Sequence, residues 1–336
     1  MTVTKNYAFL QKLTDSIING GCITAGDAKH IISLKSQEEI VMLMAHATVL
    51  RNLFKGRQID LCSVVNAKSG RCTEDCIFCA QSAYHKTDVK TYPLLDAGEL
   101  VKSAHEAHQC GASRVGLVTS GKGITSTEEL DTVREALEEI SQKTDLTPCA
   151  SLGVLSDQQI RALCAAGLKR YHHNLETAES FFPEICSTHS YQERVKTVRA
   201  AQEAGLEVCS GALFGLGESE DQRIELAFAL KELNVDSIPL NFLNPVPGTP
   251  LEKYPPLDPL EILKIIALFR FVLPKIDFRV CVGREVGLRR FQPLFFVACA
   301  NGTMVGNFLT TSGRSPEVVL LEIHDMGVFP RMQDGT

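Results

Sequence analysis

The strongest constraint on the fold is a repeated order of segments: a short β-rich run, a loop, a capped helix, a glycine, and the next β-rich run. The runs fall near 60–66, 113–119, 147–152, 168–174, 206–213, 236–241, 277–282 and 294–300. Between them, helix starts are marked by capping boxes at Asp96-Ala-Gly-Glu99, Ser126-Thr-Glu-Glu129, Ser156-Asp-Gln-Gln159 and Asp258-Pro-Leu-Glu261, with Pro259 at the first helical position. Gly111, Gly167 and Gly205 stand where helices close ahead of the next run. Strands alternating with helices predict a parallel sheet. Eight such units over about 250 residues predict a closed (β/α)₈ barrel of the TIM type. An open, doubly wound sheet is the alternative. No Ser/Gly/Pro linker divides the chain. The expected organisation is a helical extension over 1–57, a barrel over 58–311 and a short tail over 312–336. A further capping box, Ser36-Gln-Glu-Glu39, opens a helix in the extension.

Composition narrows the function. Of 336 residues, 44% are hydrophobic and 22% charged, as in an ordinary globular protein, and the net charge is −6. Without a lysine or arginine block, a nucleic-acid partner is not expected. Lys5, Lys12 and Asp15 interrupt any N-terminal signal sequence, and no apolar run reaches membrane-spanning length. The expected location is the cytoplasm. There cysteines stay reduced, and the 12 in this chain point to metal rather than to a disulfide framework.

Three of them crowd one loop, Cys72-Thr-Glu-Asp-Cys76-Ile-Phe-Cys79, directly after the first expected strand. So tight a window cannot staple a fold, but it can wrap three thiolates around one iron–sulfur centre. Three ligands leave one iron of a cubane open to a small molecule. In such barrels the loops after strands carry the active site, so the open corner is expected to face the barrel mouth. Buried core cysteines, or a structural zinc completed by His85, are the competing readings.

A barrel carrying Cys-x-x-x-Cys-x-x-Cys after its first strand, with Phe78 before the third cysteine, resembles the radical S-adenosylmethionine superfamily. Within it the chain is similar to the biotin synthase family from about residue 35 to about 310. The motifs that carry the likeness include Asn66-Ala-Lys-Ser-Gly-Arg-Cys72, Phe78-Cys-Ala-Gln81, Tyr171-His-His-Asn-Leu-Glu-Thr177 and Thr188-His-Ser-Tyr-Gln-Glu-Arg194. Others are Val208-Cys-Ser-Gly211, Asn244-Pro-Val-Pro-Gly-Thr-Pro250 and Gly283-Arg-Glu285. The resemblance implies that Cys72, Cys76 and Cys79 hold a [4Fe–4S] cluster whose fourth iron binds S-adenosylmethionine. It implies radical hydrogen abstraction from dethiobiotin and sulfur supplied by an auxiliary iron–sulfur cluster. Phe78, Asn174, Glu176, Arg194 and Asn241 become substrate- or cofactor-binding residues. Asn174 and Asn241 match asparagines near the ureido and ribose groups, and Arg194 matches an arginine for the methionine carboxylate. Glu176 stands where the family commonly has aspartate. A small electron-transfer protein (flavodoxin or ferredoxin) and a homodimer are implied as partners. Another radical enzyme of this group, hydrogenase-maturation or mutase-like, is the alternative, and an iron–sulfur scaffold is a third.

The likeness breaks at the auxiliary cluster, usually a [2Fe–2S] centre held by three cysteines and an arginine. Cys149, Cys209 and Arg279 match three of the ligands. The remaining cysteine belongs on the second strand, where this chain has Gly116. Cys62, on the neighbouring first strand, or Cys281, two residues beyond Arg279, could compensate in a cluster of altered nuclearity. As alternatives, Cys62 and Cys281 are small core residues, Asn174 and Asn241 cap turns, and Arg194 is a surface salt bridge. His172 and His173 could be ligands or hydrogen-bonded wall residues. Cys22, Cys110, Cys164, Cys186 and Cys299 read as structural.

Overall fold

The computed structural model describes residues 2–331. Met1 and residues 332–336, the outer ends of the expected extension and tail, lie outside the described residues. Helices α1 (Thr2–Ile18), α2 (Ala25–Ile32) and α3 (Gln37–Lys55) precede the sheet. There follow β1 (Gln58–Lys68), α4 (Ala97–Gln109), β2 (Arg114–Thr119), α5 (Thr127–Lys143), β3 (Thr147–Ser151), α6 (Asp157–Ala165) and β4 (Arg170–His172). Short α7 (Phe182–Ile185) and α8 (Tyr191–Glu203) lead to β5 (Glu207–Cys209) and β6 (Ala212–Phe214). Then come α9 (Glu220–Glu232), β7 (Ser237–Phe242), α10 (Pro259–Val272), β8 (Asp277–Val280), α11 (Arg284–Gly287), α12 (Leu294–Val297) and β9 (Gly302–Met304). The chain ends in α13 (Pro316–Asp325) and β10 (Phe329–Pro330).

Every pairing between these strands is parallel, and β9 pairs back onto β1 through Asp60–Gly302, Leu61–Thr303 and Cys62–Met304. That closure makes the sheet a barrel and excludes the open alternative. β5 and β6 together make one stave, broken at Ser210–Gly211. The break has a steric cause: a Cβ on Gly211 would lie 2.1 Å from the Pro239 carbonyl oxygen, so only glycine lets these backbones approach. β10 pairs with β1 at Gln58 and Ile59, which ties the tail back to the barrel.

The helix starts follow the local chemistry. Reciprocal capping boxes form at Ser36, Asp96 and Ser156. The Asp258 box does not form: its side chain makes no cap hydrogen bond, and Pro259 alone pre-sets the first turn. One expected strand is wrong. Residues 294–300 form α12 and a turn instead, and the closing strand is β9. Cys299 turns at φ +95, and the buried Arg270 guanidinium donates to the Cys299 carbonyl (3.1 Å) and Asn301 Oδ1 (3.0 Å). An apolar run of that length does not distinguish strand from buried helix.

Strand alternation divides the core in two. Leu61, Val65, Leu240, Phe242, Phe278 and Val280 pack outward against the helices. Inward lie Cys62, Val64, His172, Cys209, Pro239, Asn241, Arg279 and Cys281 around a cavity of about 420 Å³, within the ~300–1,000 Å³ typical of small-molecule sites. Among the described residues no helix is long and apolar enough to cross a membrane.

Candidate active site: two sets of thiols in one barrel

The cysteine loop follows β1 and sits at the barrel mouth. Its shape is set by backbone hydrogen bonds. Cys72 N–H donates to the Gln81 carbonyl (2.9 Å), Ala83 N–H to the Cys72 carbonyl (2.8 Å) and Cys79 N–H to the Cys76 carbonyl (3.0 Å). Gln81 Oε1 accepts from Gly70 N–H (3.1 Å), and Ser82 Oγ donates to the Glu74 carbonyl (2.6 Å). Burial pushes the Cys79 thiol up to about 11, while the Gln81 and Ser82 amides work in the other direction by pointing at its sulfur. Phe78, Cys79 and Gln81 line the cavity. A contiguous trio of soft donors with amides aimed at a sulfur fits an iron–sulfur cubane.

The loop is also tied to the segment after α7. Ile77 N–H donates to the Ile185 carbonyl (3.0 Å), and Asp75 accepts from Ser187 N–H (2.9 Å) and Thr188 Oγ1 (3.0 Å). Cys186, expected to be structural, instead touches this rim, with its sulfur 3.8 Å from Cys76 Sγ and 3.2 Å from His189 Nδ1. The Cys76 S–H lowers the Cys186 thiol to about 6. Among the described residues, Cys76, Cys186 and His189 are the one trio of possible ligands within 4.8 Å of each other. His85 Nε2 donates to the Cys76 carbonyl (3.0 Å), and His85 is not part of that compact trio.

Beside the loop, Arg194 on α8 points into the cavity and is no surface ion pair. Its Nη1 donates to the Asn174 carbonyl (2.9 Å) and lies 3.8 Å from Glu176 Oε1. Its Nε donates to His189 Nε2 (3.1 Å), which puts the His189 proton on Nδ1, facing Glu74 at 2.5 Å. Burial and the Arg194 charge keep that imidazole below its usual value. Asn174 Oδ1 accepts from Gly211 N–H (3.1 Å), while Asn241 bridges the Ala212 carbonyl and Val282 N–H, each at 3.1 Å. Both asparagines thus do cap backbone at strand ends, and both line the cavity. Glu176 adopts φ +68, a strained conformation for a residue with a side chain. Burial raises its carboxyl, with Arg194 opposing.

The inner set lies deeper. Its floor is a belt of charge that sequence reading missed. Asp60 binds Arg279 (2.6 Å) and Arg114 (3.1 Å), and Glu207 binds Arg170 (2.7 Å) and Arg114 (3.5 Å). Arg331 lies 3.9 Å from Asp60 as well, so four guanidiniums face two carboxylates. Burial works against the Asp60 charge, but Arg279 and Arg114 outweigh it and hold the carboxyl far below its usual range. Burial likewise works against Arg279, yet Asp60 and the neighbouring thiols keep it firmly protonated. Asp60, Arg114 and Arg170 could have been noticed as charges at alternate positions of apolar strands.

Above the floor, Cys62, Cys209, Cys281 and Arg279 line the cavity. Cys62 and Cys281 share a small buried cluster with Met304 and Phe308, separate from the main core. Cys149 is buried, with its sulfur 3.5 Å from the Thr147 carbonyl. Burial raises the Cys62, Cys149 and Cys281 thiols, Cys149 to about 12, while Arg279 opposes each. Arg279 Nη1 and Arg170 Nη1 are buried without hydrogen-bond partners. Four soft donors with spare guanidinium protons suit an anionic, sulfide-bearing group, so the residues present fit an inner cluster. His172 and His173 are held near 3, neutral, chiefly by burial and then by nearby guanidiniums.

The Radical SAM superfamily model matches residues 67–230, and that of the Biotin and Thiamin Synthesis associated domain matches 239–329. With the cysteine loop at the mouth of a closed parallel barrel, these define a radical S-adenosylmethionine enzyme. The fold is also that of methylornithine synthase, with a TM-score of 0.84 at 21% identity, covering 95% of this chain and 97% of that one. The biotin synthase of Geotalea uraniireducens is 50% identical over 308 residues, covering 92% of this chain and 93% of its own. That of Geobacter sulfurreducens is 48% identical over 325 residues, covering 97% and 98%. The chain belongs to the biotin synthase family, which implies a [4Fe–4S] cluster and S-adenosylmethionine.

Proposed function

We propose that the chain converts dethiobiotin to biotin, with the rim thiols and the inner thiols serving separate iron–sulfur clusters. The observation that carries this is the presence of two thiol sets in one closed barrel, in a chain about half identical to biotin synthases. When bound, the rim [4Fe–4S] cluster and S-adenosylmethionine supply a hydrogen-abstracting radical, and the inner cluster supplies sulfur.

The chain's own residues position and shield. Cys72, Cys76 and Cys79 hold the rim cluster. Arg194, already oriented by His189 and Asn174, pairs with the methionine carboxylate. Glu176 reaches the ribose with one methylene more than an aspartate would. Asn174 and Asn241 offer their remaining amide protons and lone pairs to ribose or ureido groups. Phe78, Phe308 and Leu309 line the cavity and would give it apolar wall beside the bound cofactor.

The inner cluster rests on Cys62, Cys149 and Cys209, with Cys281 or Arg279 completing it. Because Asp60 keeps Arg279 charged, we assign Arg279 to hydrogen bonding toward the cluster and Cys281 to the reserve ligand. A flavodoxin or ferredoxin donor, a homodimer and a cytoplasmic location complete the proposal.

The test is anaerobic incubation with S-adenosylmethionine, a reductant and dethiobiotin. Biotin with 5′-deoxyadenosine supports the proposal. Deoxyadenosine alone would favour a hydrogenase-maturation or mutase-like relative. Neither product, with iron passed to an apo-acceptor, would favour a scaffold. Mössbauer spectra of Cys62→Ala and Cys281→Ala test the inner ligands, and an intact inner cluster in both would remove them from the set.

A further inference from the structure

Gly116 leaves the second stave without a donor, and the neighbouring volume is not empty. A Cβ built on Gly116 would meet His172 Cε1 at 3.6 Å, His172 Nδ1 at 3.8 Å and Val64 Cγ1 at 3.6 Å. These are ordinary contact distances, so position 116 tolerates a small side chain, and the His172 ring stands beside the place where it would project. In register, Gly116 pairs with Cys149 and His172 pairs with Cys209, which puts the ring between staves that each carry an inner thiol. The ring lines the cavity together with Cys62, Cys209, Arg279 and Cys281.

Among the other histidines that are not exposed, His46, His85 and His189 each hold a hydrogen-bond partner, and His105, on the outer helix α4, does not face the cavity. The half-buried His172 ring faces the cavity with no hydrogen bond among the described residues, whereas His173 is buried and leaves Nε2 without a partner. A cavity-facing imidazole keeps its lone pair available to whatever fills the cavity. Arg194, Arg279 and the thiols of Cys62, Cys79, Cys209 and Cys281 line that cavity, and the thiols define what a lone pair there would meet.

We propose that His172 supplies an imidazole nitrogen to the inner iron–sulfur cluster, in place of the thiolate that Gly116 cannot provide. This rests on the reading that an inner cluster forms on Cys62, Cys149 and Cys209, and it gives the remaining ligand position to His172 rather than to Cys281 or Arg279. Imidazole for thiolate is a known exchange on iron, and it removes one negative charge from the centre, so the reduction potential shifts upward. No bond other than the iron–nitrogen dative bond is made or broken.

The experiment uses the full chain carrying Cys72→Ala, Cys76→Ala and Cys79→Ala, so that only inner iron remains, with ¹⁵N placed in histidine alone. After anaerobic reconstitution and one-electron reduction, pulsed EPR reads nitrogen coupling. A ¹⁵N coupling that survives His173→Asn and disappears in His172→Asn is the expected result. Gly116→Cys combined with His172→Asn should restore the inner iron content without the nitrogen coupling, which separates lost ligation from lost folding. Inner iron present without any histidine coupling, or coupling unchanged in His172→Asn, overturns the assignment. If the rim variant holds no inner iron at all, while the unsubstituted protein also holds only one cluster, the inner-cluster reading itself falls, and this assignment falls with it.

Discussion

The rim and the floor of this barrel solve the same problem, holding an iron–sulfur group, in opposite ways. At the rim the donors are consecutive in the chain and sit on a loop shaped by its own backbone bonds. Near it Glu74 is hydrogen-bonded to a neutral His189 and Arg194 stands 3.8 Å from Glu176, and that region has room for a ligand. On the floor the donors come from separate strands, and their positions depend on register. There the surroundings are a belt of ion pairs, Asp60–Arg279 and Asp60–Arg114 in the interior and Glu207–Arg170 reaching the surface. The rim is built for exchange and the floor for retention. Substitutions at the rim should therefore alter binding and turnover with little effect on folding, while those on the floor should alter folding first.

The largest effect expected is at the rim thiols. Replacing Cys72, Cys76 or Cys79 with alanine should lower biotin formation by at least ~10³-fold, about 4 kcal/mol of barrier. The inner iron count and the unfolding midpoint should hold. Loss of inner iron in these variants would break the contrast.

Next comes Arg279→Met, which leaves Asp60 buried without its closest cation. Urea unfolding of the cluster-free protein should show a loss of about 3–5 kcal/mol, most of it recovered in the Asp60→Asn/Arg279→Met double variant. An unchanged midpoint would mean that the floor is not under electrostatic tension.

Arg194→Gln should raise the Kd for S-adenosylmethionine about 10–100-fold, the worth of one charge-assisted contact. Stability should change little, since Arg194 is only partly buried and its carboxylate neighbour Glu176 is 3.8 Å away. Calorimetric titration checks the first part and urea the second.

The smallest effect is in pH. His172 and His173 titrate near 3 in the folded chain, against about 6.5 unfolded. Between these values the unfolded chain binds more protons, so stability of the cluster-free protein falls as pH drops from about 6.5 toward 3. His173→Asn should make that slope shallower by about one proton. Asp60 adds stability that is complete above about pH 4 and lost only in stronger acid, since its folded value is depressed.

The same contrast explains what could be read from sequence. Cys72, Cys76 and Cys79 announce themselves because their spacing is a local property. Arg194 and Asn241 were recognisable only as motif positions, and their orientation toward the cavity came from α8 and β7. The floor was harder. Nothing local links Asp60 to Arg279, 219 residues away, until β1 closes on β9 and β8. Cys186 was read as filler because its partner Cys76 is 110 residues distant. The last strand was misplaced because Leu294 to Ala300 is apolar throughout, so neither period shows. The buried hydrogen bonds of Arg270 decide its shape.

The central claim is that two thiol sets hold two clusters independently. It is tested most directly by counting iron and sulfide, with Mössbauer spectra, in the anaerobically reconstituted protein and in the Cys72→Ala/Cys76→Ala/Cys79→Ala variant. The expected result is two spectroscopically distinct clusters in the first and the inner one alone, undiminished, in the second. A single cluster in the unsubstituted protein, or no iron left in the variant, would contradict it.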